Sequence, residues 1–191
     1  MASHWLVGDQ AALAAERILD AAGRCFAGQG VPNTSIADIA RDAGCSRPTI
    51  YRYFDDRHAL RLAFVHREAR RLGTAVAVEV ARIADPAPRF VEACLLALAG
   101  VRSSPTLAAW FAGGGSVIAT DMAGSSTVIE AMAGTLVGTP TDPDHRDRAR
   151  WVVRIILSLL AMPGADPIEE RRMLERFVVP VAVGPTRLPT V

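Results

Sequence analysis

The sequence starts two helices in quick succession between Thr34 and Phe54, and neither has room to grow. Ser35 is followed three residues later by Asp38, a hydroxyl and a carboxylate spaced for a variant of the capping box. Ile36, Ile39, Ala40 and Ala43 then fall on one face until Gly44 stops the run. Ser46 caps the next start. Pro48 sits in its first turn, where a missing N–H costs nothing, and Ile50 and Phe54 face inward together. A helix of about two turns is not stable alone in water, so each must be held by neighbours. Ala40 allows a close helix–helix approach and Gly44 allows the sharp turn that sets the pair at a steep angle.

The rest of the chain is punctuated by Gly and Pro. A first helix is expected from about Asp9, as N-cap, to Gln29, with Ile18, Ala21, Ala22, Cys25 and Phe26 on its apolar face and Gly30 and Pro32 ending it. Asp55 or Asp56 opens a long fourth helix carrying Leu60, Phe64, Leu72, Val76, Val80 and Ile83, broken before Asp85-Pro86-Ala87-Pro88. Further helices are expected over 89–101, 107–112 (ended by Gly113-Gly114-Gly115), 117–136 with an interruption at Gly124, and 144–162. Asp166-Pro167-Ile168-Glu169 opens the last one. No segment alternates as a strand would, so the fold class is all-α. The division expected is an N-terminal three-helix unit over 9–57, a C-terminal helical unit over 58–182, and a tail over 183–191.

Charge is informative only locally. The net charge is +1, and all 21 cationic side chains are Arg. Residues 1–72 hold ten Arg against eight acids, and the stretch from Arg47 to Phe54 holds two Arg and no acid. Cys25, Cys45 and Cys94 form no CxxC pair, which argues against a disulfide framework or zinc site and for free thiols. The start lacks a basic flank and a continuous apolar run, and Trp151–Met162 is too short for a bilayer span and is interrupted by Arg154 and Ser158. A soluble cytoplasmic protein is expected. His4, His58, His66 and His145 form no metal or nucleophile motif, and there is no GxSxG, phosphate loop or dinucleotide fingerprint. Neither catalysis nor a cofactor or metal is expected.

A tight bihelical unit presents the N-terminal half of its second helix to a DNA major groove. Here that helix is Ser46–Phe54. Arg47 offers a fork that matches guanine O6 and N7. Thr49, Tyr51 and Tyr53 offer hydroxyls to phosphates, and Arg57 a further cation. With these in view, Ile18 to Leu60 resembles the TetR family. The matching pieces are Ile18-Leu19-Asp20-Ala21-Ala22 with Phe26 and Gly30, Thr34 to Ala40, Ala43-Gly44-Cys45-Ser46, Thr49 to Phe54, and Arg57 with Leu60. The resemblance implies a dimeric helix-turn-helix repressor. It implies that Thr34 and Ser35 meet phosphate, that Arg47, Pro48 and Thr49 meet base edges, and that Tyr51, Tyr53 and Arg57 meet the backbone; Ser46, a cap in either case, and Arg52 are further candidate DNA contacts. Arg57 stands where the family usually has Lys, and Arg52 fills a variable slot.

The C-terminal part carries no motif of comparable strength. Phe90, Leu98, Trp110, Phe111, Met122 and Met132 are candidates to line a cavity for a small, apolar effector, Trp110 and Phe111 foremost because a glycine triplet follows them. Trp151, Ile155 and Leu159, with Met173, Leu174 and Phe177, are candidates for a homodimer interface of the kind the family makes with its last helices. Such a dimer would suit a palindromic double-stranded operator. The alternatives are a DNA-binding regulator with no ligand and an enzyme with an unrecognised helical site.

Overall fold

The computed structural model describes residues 4–184, and the expected tail lies mostly outside them. The helices are α1 (His4–Gln29), α2 (Ile36–Ala43), α3 (Arg47–Tyr51), α4 (Arg57–Val80), α5 (Pro86–Ser103), α6 (Pro105–Ala108), α7 (Gly115–Ser125), α8 (Thr127–Gly134), α9 (His145–Ala161), α10 (Pro167–Met173) and α11 (Val179–Ala182). A π-helical turn, Leu174–Val178, joins the last two. No strand occurs among the described residues, so the all-α expectation holds.

The starts follow the expected capping chemistry. Ser35 and Asp38 close both arms of a capping box. Ser46, Asp56 and Asp166 each accept a backbone N–H three residues on. Gly44 adopts φ 67°, and the N–H groups of Gly44 and Cys45 reach back to the carbonyls of Arg41 and Ala40, a Schellman ending that only a left-handed residue completes at low cost. Several boundaries differ from expectation, among them that of the helix expected over 107–112, which is α6, Pro105–Ala108. Asp9 lies inside α1, which begins at His4. α4 does end before Asp85, but α5 opens at Pro86 and not at Arg89, because Asp85 accepts from Ala87 N–H and both prolines sit in the first turn. The interruption after α7 falls at Ser126, not Gly124, and Ser126 caps α8.

The N-terminal helices pack around Phe26, Ile39, Ile50, Leu60 and Phe64, all 1 % exposed or less. This cluster continues past residue 57 into Trp110, Ala119 and Met122. Arg67 of α4 ties α1 to α4 through Asp20 at 2.8 Å and Glu16 at 3.1 Å. At about 1.5 Å per residue, α4 runs some 36 Å, long enough to leave the N-terminal cluster and enter the second half of the molecule. There α5 folds back along it. Leu72 packs against Gly100, and Val76 and Val80 against Ala93. α8 and α9 complete the surround.

Candidate DNA-reading surface and effector cavity

α3 is one turn and a half, shorter than the expected Ser46–Phe54. Arg52 and Tyr53 follow as a turn and Phe54 is buried. Ser46 and Thr49 are occupied with each other, their hydroxyl oxygens 2.8 Å apart, and Thr49 N–H donates to Ser46. Arg47, Pro48, Tyr51, Arg52 and Arg57 are exposed, Tyr53 and Thr49 half-buried. Tyr51 keeps 49 % of its surface. Arg52 lies 5.2 Å over the Tyr53 ring and donates to its hydroxyl, which fixes the ring's outer edge. Arg47 and Arg57 form no ion pair among the described residues, so their charge is free to act on an approaching polyanion.

Thr34 requires a correction. It is 1 % exposed and its hydroxyl donates to Gly30 O at 2.8 Å. The side chain holds the turn between α1 and α2 and does not face phosphate. Ser35 is half-buried and engaged in its capping box. Sequence reasoning missed Arg61, 8 % exposed, which donates to Val31 O from inside α4 and so ties the entry of α2 to the helix carrying Arg57. Burial, with Arg57 adding to it, pushes the Arg61 guanidinium below its ordinary pKa. Its only sequence signal is its place one turn after Arg57.

The second half contains a cavity of about 550 Å³ between α4, α5, the α6–α7 segment, α8 and α9. Trp110, Phe111 and Met132 are among its lining residues. Phe90, Leu98 and Met122 are not: each is 2 % exposed or less and packed in solid core. The lining is instead rich in small residues, among them Ala69, Ala93, Ala97, Ala119, Ala123 and Ala133. Cys94 also lines it, and burial pushes its thiol up to about 12, which keeps it protonated. Trp110 connects the cavity to the reading unit. Its ring stacks on Phe64 at 5.9 Å and meets Phe26 edge-on at 5.3 Å.

The expected interface residues separate into two sets. Leu159 and Leu174 are 6 % and 0 % exposed within their own chain and cannot anchor a partner. Met173 and Phe177 are exposed at 41 % and 62 %, and Trp151 and Ile155 are half-buried. Met162, Ile168 and Val181 extend the exposed apolar set. Among the described residues no group of acids, histidines and cysteines could hold a metal, and no helix is long and apolar enough to cross a membrane.

Residues 18–64 match the family model described as bacterial regulatory proteins, tetR family. An HTH-type transcriptional regulator of Mycobacterium tuberculosis, Rv1255c, is 47 % identical over 180 residues, covering 93 % of this chain and 89 % of its own. The crystal structure of RolR with resorcinol superposes with a TM-score of 0.62 at 17 % identity, covering 96 % of this chain and 98 % of that one. FadR from Bacillus subtilis with stearoyl-CoA superposes at 0.59 and 12 % identity, covering 90 % and 99 %. The two structures establish likeness of fold only. The relative of matching length and the family match, over the same helices that carry the unpaired arginines, go further: the chain belongs to the TetR family of helix-turn-helix, DNA-binding transcriptional regulators.

Proposed function

We propose that the protein is a homodimeric repressor that reads a palindromic operator with α3 of each subunit and lets go when a small apolar molecule fills the cavity. The observation that carries this is the connection through Trp110. One residue both lines the cavity and stacks on α4, the helix whose first turn bears Arg57. A ligand that displaces Trp110 therefore acts on the same rigid element that sets where Arg57 and α3 point. It shifts the population only if it binds the released conformer more tightly than the DNA-bound one.

The cavity lining supports an apolar effector, since its deep walls are Trp, Ala, Val and Leu side chains. The likeness to RolR and FadR does not choose the ligand, because those structures hold a small phenol and a long acyl thioester on one fold. Met173, Phe177 and Val181 on the outer face of the last helices support the dimer. Reading a palindromic operator would require such a dimer to hold its two reading helices about 34 Å apart, one turn of B-DNA. Arg47, Pro48, Tyr51, Arg52, Tyr53 and Arg57 are the side chains assigned to the duplex, with the division near residue 57 marking where the reading unit hands over to the effector half.

The test is selection of bound sequences from random duplexes, followed by a release screen. A palindromic consensus bound by two chains, released by apolar compounds, is expected. An effector at 100 times its Kd should also stabilise the fold by about 2.7 kcal/mol. A site bound by two chains that no compound releases or stabilises would leave a DNA-binding regulator without a small-molecule effector.

A further inference from the structure

We infer that the effector is an apolar monocarboxylate, seated tail-inward with its carboxylate between Arg70 and Thr74 at the cavity mouth. The inference rests on the effector reading above. The exposed lining residues mark the mouth. Arg70, Thr74 and Ala77 of α4 stand on one side, with Thr135, just past α8, on the other. The lining residues opposite, Trp110, Cys94, Val152 and Leu157, are buried and offer no charged group.

Besides Cys94 and Trp110, whose indole N–H is buried without a hydrogen-bond partner, the polar lining side chains are Glu68, Arg70, Thr74 and Thr135. Glu68 already has its charge matched, by Arg67 at 2.8 Å and Arg71 at 3.3 Å. Arg70 forms no ion pair among the described residues, so the mouth keeps one uncompensated positive charge. Arg70 and Thr74 are one turn apart on the same face of α4 and can share one carboxylate, the guanidinium through charge-assisted bonds and the hydroxyl as a further donor. An ionised group could not go deeper, where burial without a partner is costly, whereas an alkyl chain gains by leaving water.

Gly73 lies between these two residues and gives the entry its shape. A Cβ there would stand 2.1 Å from the Met132 methyl, so Met132 of α8 rests directly on the α4 backbone. An unbranched thioether side chain can swing aside for a chain and close again behind it.

The test is isothermal titration of the full-length protein with octanoate, dodecanoate and hexadecanoate, each against the alcohol of equal length, all below micellar concentration. At least one acid is expected to bind about tenfold tighter than its alcohol, the worth of one partly exposed charge-assisted bond. Arg70→Gln should erase that tenfold and leave the alcohol within twofold, and Arg70→Lys should restore part of it. Equal binding of acid and alcohol, or an Arg70→Gln protein that still prefers the acid, overturns the head-group inference while the apolar cavity stands. Failure of every acid and every alcohol to bind overturns this inference, and only failure of the wider release screen as well overturns the effector reading.

Discussion

The two halves of the molecule use the same capped, amphipathic helices and treat their interiors in opposite ways. Around α1–α3 the interior is full: Phe26, Ile39, Ile50 and Leu60 are sealed, and the chemistry faces outward as arginines and tyrosines. Between α4, α5, α8 and α9 part of the interior is left unfilled, with many alanines in its wall. A reading surface must hold its side chains in register against a rigid duplex, so close packing beneath it serves it. On the function proposed, the second half gives up packing energy for a space that a ligand can complete. The two meet at Phe26, Phe64 and Trp110, where filled core becomes cavity wall.

The sharpest way to break this contrast is to hollow the filled half. Phe26→Ala removes a ring that is 1 % exposed and touches both Phe64 and Trp110, and should cost about 3–5 kcal/mol in urea unfolding. A loss below about 1 kcal/mol would mean that the N-terminal core is looser than its packing implies. Next in size is the outward chemistry. Arg47→Ala should cost about 1–3 kcal/mol of operator binding and relax preference at one base position, with folding unchanged. Tyr51→Phe should weaken all sequences evenly, as loss of a backbone contact does. The reverse pattern would exchange the roles assigned to the two residues.

Filling the hollow half should do little to the fold and much to the response. Ala97 lines the cavity, and Ala97→Leu puts side-chain atoms where none stand. Stability should stay within about 1 kcal/mol, because filling a void offsets local crowding. Operator affinity should hold while ligand-dependent release is lost, as a paired gel-shift measurement would read. Destabilisation as large as that of Phe26→Ala would mean the space is not a true void.

The same contrast explains what could be read from the residues alone. Caps, first-turn prolines and the Gly44 turn are local, so Ser35, Ser46, Asp56 and Asp166 declare themselves. The reading surface is local too, lying within one short stretch whose inward residues are apolar. A cavity is not local. Periodicity tells which residues face inward and not whether the inside is full, so bulky Phe90, Leu98 and Met122 looked like lining and are core. The usable signal was the opposite one, a surplus of alanines on facing helices. The last helix failed differently. Met173, Leu174 and Phe177 are expected on one interface, yet the π turn lies over Leu174–Val178. Leu174, Val178 and Ala182 point inward while Met173, Phe177 and Val181 point out. Five-residue hydrogen bonding leaves no mark on a pattern read at 3.6.

The smallest expected effect concerns the cap that orients the reading unit. The Ser35 hydroxyl and N–H both donate to the Asp38 carboxylate and hold its pKa at about 2, against an ordinary 3.8. A carboxyl whose pKa is lower in the folded state adds stability above its unfolded value and loses it as pH falls through the folded one. The wild type should therefore shed this contribution between about pH 4 and pH 2. Asp38→Asn, which cannot ionise, should start less stable and fall less steeply across that window. The loss should be seen first as faster amide exchange in α2, because the proton lands on the half-buried capping box of a helix only eight residues long. Glu170 is the control from the other half. Its carboxylate is also held low, by Arg102, but it is 2 % exposed and joins α5 to α10, so its protonation should loosen the effector half and leave α2 protected. Parallel acid slopes for wild type and Asp38→Asn would mean that the cap, though formed, contributes nothing to holding the reading unit in place.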